Sequence, residues 1–190
     1  MYLYGMNQER IILGIDPGSN IMGYGIIGVQ GSKLRFIDFG FVKQASKTED
    51  HFEKLRYIFS ETIQIIEKYK PSEFAIEAPF FGTNVQSMLK LGRSQGVAIA
   101  AALSKGLEVT EYSPRKVKQS VSGSGSSSKE QIARYCAQIL GIKELDSKYL
   151  DATDGLAVAI CHALQGKLPS NKKGLTSWEA FINKNPDRIK

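Results

Sequence analysis

The chain has 190 residues, 42% of them hydrophobic and 23% charged, the balance of a globular domain rather than of a disordered or fibrous chain. A chain of this length buries about 70% of the surface it exposes when unfolded, so neither disulfides nor a structural metal are required to hold it together. The formal net charge of +6 suits a polyanionic partner, and no segment approaches the run of about 18 apolar residues that a membrane-spanning helix needs.

The first elements are strands. Arg10 to Asp16 reads RIILGID, a β-branched apolar run that ends on an acid and meets Pro17-Gly18, which predicts a strand entering a turn. Ile21–Gly31 and Lys33–Lys43 are two further apolar runs joined at Gly31-Ser32, so a hairpin follows and the chain opens with three antiparallel strands. After Thr48 the period changes: Phe52, Leu55, Ile58, Phe59, Ile63, Ile66 and Tyr69 recur at helical spacing up to Pro71, which predicts an amphipathic helix.

Strand and helix then alternate. Glu73–Glu77 (EFAIE) reads as a short strand, Asn84–Lys105 as a helix, and Leu107–Tyr112 as a strand closing at Ser113-Pro114. Arg115–Val121 predicts a short helix before Ser122–Ser128, SGSGSSS, whose composition predicts a mobile loop. Lys129–Leu140 and Ser147–Leu164 complete the helices, with Gly141 as a C-cap. The expected fold is a five-stranded mixed α/β sheet, three antiparallel strands followed by two parallel ones, with helices on both faces.

The end of the chain differs from its body. Residues 166–190 carry six basic and two acidic side chains, a basic extension beyond a nearly neutral domain of residues 1–165. It suits a phosphate-binding arm or a solvated tail that aids solubility. Cys136 and Cys161 lie in apolar helical surroundings without the C-x-x-C spacing of a zinc or redox site, as buried thiols in a reducing compartment would. With no basic segment and apolar stretch in MYLYGMNQER, the expected location is the cytoplasm.

Four acids stand where a carboxylate packs poorly. Asp16 and Glu77 end apolar strands, and Asp151 and Asp154 lie at i and i+3 on one face of an apolar helix. Each has a plain structural reading, as a turn former or as a helix-start acid, but four such coincidences call for a shared cause. Converging carboxylates repel one another unless a cation sits among them. Hard oxygen ligands select Mg²⁺ or Mn²⁺, and two such ions can activate water and stabilise the leaving oxygen of a phosphodiester. The sequence offers no phosphate loop of the G-x-x-x-x-G-K-[ST] type and no Ser-His-Asp set. His51 sits at a polar helix start, and His162, in an apolar helix end, reads as structural.

IDPGSNIMGYGII (15–27), IEAPFFGTNVQSMLKLGRSQGVAIAAAL (76–103), SPRKVKQSVSGSGSSSKEQI (113–132) and DATDGLAVAICHAL (151–164) together resemble the RuvC family of Holliday junction resolvases, in order over residues 11–165. The resemblance implies the ribonuclease H-like fold and a homodimer that cleaves four-way DNA junctions with two Mg²⁺ or Mn²⁺ ions per site. It places an acidic catalytic and metal-binding tetrad at Asp16, Glu77, Asp151 and Asp154. It also implies a base-stacking role for Phe80, phosphate contacts and catalytic assistance from Lys118 and Lys129, and DNA contacts from Arg115 and Lys116. Partnership with the RuvA and RuvB branch-migration complex comes with it.

Two other classes compete. An actin-like ATPase also begins with a strand ending in D-x-G-S and a hairpin, but needs two copies of the fold. A non-catalytic junction-binding or RNA-processing relative could share the scaffold, although a binder has no reason to gather acids where phosphates dock. Paired cuts in a symmetric junction call for a two-fold dimer, and the small apolar run Gly96–Leu103 of the second helix is the expected seam, with Ala101→Glu expected to give folded monomers.

Overall fold

A computed structural model describes residues 9–18, 21–43, 50–79, 84–143 and 150–165, with the side chains of residues 150 and 151 excepted. Phe80 and the basic extension 166–190 lie outside the described residues. The elements are β1 (Arg10–Asp16), β2 (Ile21–Gln30), β3 (Lys33–Lys43), α1 (His51–Tyr69), β4 (Glu73–Glu77), α2 (Val85–Ser104), β5 (Val109–Tyr112), α3 (Pro114–Ser122), α4 (Lys129–Leu140) and α5 (Leu150–Gln165).

The strands form one sheet in the order β3-β2-β1-β4-β5. β1, β2 and β3 pair antiparallel, while β1–β4 and β4–β5 are parallel, as the element order predicts. Side chains alternate across the sheet. Leu13, Ile15, Phe74 and Ile76 face α1 and α2, whereas Ile12 and Ala75 face the layer formed by α3, α4 and α5. One step beyond the Ile15–Ile76 pair of the β1–β4 ladder, Asp16 and Glu77 therefore leave adjacent strands on the α5 side.

α5 is buried along almost its whole described length, from Ala152 through Leu156–Cys161 to Ala163, as expected of a helix apolar on all sides. Glycines let its backbone lie directly on the sheet. A Cβ at Gly14 would stand 2.4 Å from Gly155 O, and one at Gly155 would stand 2.6 Å from Tyr24 Cα. This close approach brings the first turn of α5 up to the ends of β1 and β4.

The serine-rich connection between α3 and α4, predicted as a mobile loop, carries hydrogen bonds of its own: Ser122 Oγ lies 2.7 Å from Ser127 Oγ and 2.9 Å from Ser124 O, and Ser124 Oγ lies 3.1 Å from Ser126 Oγ. A hydroxyl both donates and accepts, so serines in series can satisfy one another. The small apolar run Gly96–Leu103 of α2 is only partly available as a seam: Ala98, Ala101 and Ala102 are wholly buried in their own subunit, while Gly96, Ala100 and Leu103 are exposed. Ala101→Glu would therefore disrupt the fold and is no probe of a seam. The outward face of α2 carries Val85, Leu89, Gly96 and Leu103, at helical spacing.

Candidate active site

Asp16, Glu77 and Asp154 line one cavity of about 210 Å³ together with Lys118 and Lys129. The strand ends supply two of the acids and the first turn of α5 the third. Asp151 lies in that same turn, but its side chain is outside the described residues. Burial, followed by the charges of Asp16 and Asp154, pushes the Glu77 carboxyl up to about 8, and Lys118 and Lys129 only partly offset this. With all three carboxylates ionised the cavity would carry more negative charge than its two lysines neutralise, and the raised Glu77 value reflects that strain.

Lys129 Nζ sits 2.7 Å from Asp154 Oδ2. The start of α4 is fixed by a capping box between Ser128 and Gln131, which leaves Lys129 as the first helical residue. A cation at a helix N-terminus opposes the helix dipole, so packing propensity alone does not favour a lysine there; the acids opposite do. Among the described residues no three Asp, Glu, His or Cys side chains enclose an ion as they stand, and the Lys129 ammonium lies against Asp154 instead. The donor set of this cavity is all carboxylate, which fits Mg²⁺ or Mn²⁺.

A second cavity of about 510 Å³, lined by Ser113, Pro114, Arg115, Lys118 and Gly125, adjoins the first, with Lys118 and Pro114 common to both. α3 is set by its Ser113 N-cap and Pro114. Gly125 is needed where it stands, because a Cβ there would come 2.7 Å from Arg115 Cγ; the serine turn thus backs the arginine. Lys116 is exposed and lines neither cavity. His162 belongs to the opposite end of α5, where its Nδ1 lies 2.9 Å from Tyr112 Oη and its Nε2 2.8 Å from Glu73 Oε2. Its structural reading holds. The sequence reading passed over Gln95, a buried amide on α2 beside Glu77; the only sign was a polar pair, Ser94-Gln95, on the inward face of an apolar helix.

A sheet with three antiparallel and two parallel strands, acids at its central strand ends and an acidic helix laid across them define a ribonuclease H-like protein. The profile of the family described as crossover junction endodeoxyribonuclease RuvC matches residues 12–162. A curated relative of that name from Cytophaga hutchinsonii is 55% identical over 183 residues, 96% of this chain and 89% of the relative. One from Bacteroides fragilis is 52% identical over 96% of this chain and 97% of the relative. The solved structure of Thermus thermophilus RuvC in complex with a Holliday junction substrate superposes with a TM-score of 0.75 at 31% identity, covering 84% of this chain and 96% of that one. The yeast mitochondrial Holliday junction resolvase Ydc2, at 16% identity and a TM-score of 0.59, shares the fold. The chain belongs to the RuvC family and is a crossover junction endodeoxyribonuclease, which displaces the actin-like reading.

Proposed function

We propose that the protein resolves four-way DNA junctions by hydrolysing phosphodiesters at Asp16, Glu77, Asp151 and Asp154. The observation that carries this is the convergence of Asp16, Glu77 and Asp154 on one lysine-flanked cavity in a chain of this family. The four carboxylates would hold two Mg²⁺ or Mn²⁺ ions, which supply activation of the attacking water and stabilisation of the leaving oxygen. Lys129, which neutralises Asp154 here, and Lys118 would then face the scissile phosphate. Arg115 and Lys118 on the adjoining cavity hold the strand by phosphate contacts, Lys116 adds charge from the exposed side of α3, and Phe80 stacks on a base at the junction.

The functional unit is a homodimer, because two strands are cut at symmetry-related positions. The exposed apolar side chains Val85, Leu89 and Leu103, 66%, 52% and 58% accessible, support a seam along the outward face of α2. Leu89→Glu is expected to sediment as a folded monomer; a dimer of unchanged strength would place the seam elsewhere. Residues 1–165 form the nuclease domain and 166–190 a basic extension, and the enzyme acts in the cytoplasm beside the RuvA and RuvB complex. Among the described residues no helix is long and apolar enough to cross a membrane.

The experiment is cleavage and binding of a synthetic four-way junction. Asp16→Asn keeps the shape of the site and removes a ligand charge, so it should lower the single-turnover rate by about a hundredfold or more while junction binding persists. Cleavage close to the wild-type rate would overturn the assignment, and cutting by neither protein would favour the non-catalytic relative.

A further inference from the structure

Glu77 is the last residue of β4, the point where the strand gives way to a loop, and the peptide that follows it is held from both sides. The Ala78 amide donates to Tyr112 O on β5 at 2.8 Å. On the other side Gln95 Nε2, from α2, donates to Glu77 O at 3.3 Å. The same amide nitrogen lies 3.1 Å from Glu111 Oε1 on β5, so the carboxylate of Glu111 fixes the orientation of the Gln95 side chain. Gln95 is only 7% accessible. An amide is costly to bury without partners, and a hydrocarbon of the same volume would pack on this helix face without that cost. The bonds it makes go to the backbone of the site and to the group that orients the amide.

We infer that Gln95 is a positioning residue for Glu77: by clamping the Glu77–Ala78 peptide between α2 and β5 it fixes the backbone from which the Glu77 carboxylate is aimed into the cavity. Glu111 is the anchor of the clamp. The inference rests on Glu77 acting in cleavage, as proposed above. Repulsion among the carboxylates pushes on the strand ends that carry them, and a clamp at this peptide opposes that displacement of the backbone. Removing a group of this kind, which orients a ligand without touching the ion, typically costs about tenfold to a hundredfold in metal affinity or activity.

The test compares Gln95→Met, which keeps length and apolar packing but removes both hydrogen bonds, with wild type and with Glu77→Gln. Three readouts are expected to move together. Calorimetric Mn²⁺ affinity should weaken by about tenfold, the Mg²⁺ concentration for half-maximal cleavage should rise, and the Ala78 amide of the metal-free protein should exchange hydrogen faster. Junction affinity in Ca²⁺ should stay at the wild-type level. Glu111→Ala, an exposed change that leaves the core intact, should shift the same readouts in the same direction by a smaller factor, which keeps the test open if Gln95→Met fails to fold. Wild-type Mn²⁺ affinity and Ala78 exchange in Gln95→Met, or in Glu111→Ala where Gln95→Met does not fold, beside an inactive Glu77→Gln, would overturn the clamp and leave the catalytic reading standing. Full cleavage by Glu77→Gln would overturn both.

Discussion

β4 and α5 carry ionisable groups at both of their ends, and the two ends are built on opposite principles. At the start of β4, Glu73 spends one carboxylate oxygen on Arg10, 2.7 Å away, and the other on His162 Nε2 at 2.8 Å. A carboxylate can only accept, so that histidine nitrogen donates to Glu73, and the other ring nitrogen, Nδ1, lies 2.9 Å from Tyr112 Oη. Burial pushes the Tyr112 hydroxyl up to about 12, so it stays protonated. Arg10, Glu73, His162 and Tyr112 thus form one chain of groups within the protein. At the other end Glu77, Asp16 and Asp154 face one another with two lysines among them, and Glu77 is driven up to about 8. A network whose partners come from the protein fastens α5 to the sheet; one whose carboxylates raise each other's proton affinity suits the cation and phosphate proposed above.

The contrast can be broken from either end. The largest effect on stability is expected at Glu77. Its folded value lies above the ordinary 4.5, so in the metal-free protein the stability linked to this group is present below that ordinary value and lost as pH rises through about 8. Glu77→Gln removes the ionisation, and its Tm should exceed that of metal-free wild type by about 5 °C or more at about pH 9 and differ little at about pH 5. An equal Tm difference at both pH values would show that the carboxylate is not strained by its neighbours. The smaller effect belongs to the closed end. His162→Ala should cost about 2 kcal/mol in denaturant unfolding, since it strands Glu73 and Tyr112, yet junction cleavage below the melting range should remain within about threefold of wild type. A loss of cleavage as large as that of Asp16→Asn would mean that the two ends are not independent.

Much of the open end was legible in the sequence because its acids contradict their surroundings. Asp16 and Glu77 each close a run of apolar residues, and Asp151 and Asp154 interrupt the polar-poor start of an apolar helix. What could not be read was who stands beside whom. The side-by-side exit of Asp16 and Glu77 follows from the β1–β4 register, which is a property of the pair and not of either strand. The contact of Lys129 with Asp154 depends on how α4 and α5 pack. Helix phase misled in the same way: GVAIAAAL is small and apolar around the helix, so composition could not tell that Ala101 faces inward while Leu103 faces out. The serine turn failed for a different reason. Serine and glycine confer flexibility on average, and composition gives no sign that the hydroxyls of Ser122 and Ser127, and of Ser124 and Ser126, pair with each other or that Ser128 accepts from the Gln131 amide as the cap of α4. His162 was identified as structural without its partners, since Glu73 lies 89 residues away in the chain.

The central claim is that the acids at the ends of β1, β4 and α5 form a cation site rather than a second closed network. Crystals grown with Mn²⁺ and measured at the manganese absorption edge test it most directly. Anomalous peaks are expected within ligand distance, about 2.2 Å, of carboxylate oxygens of Asp16, Glu77 and Asp154, with the Lys129 ammonium withdrawn from Asp154. Saturating Mn²⁺ that leaves no peak in this cavity, with Lys129 still on Asp154, would contradict it.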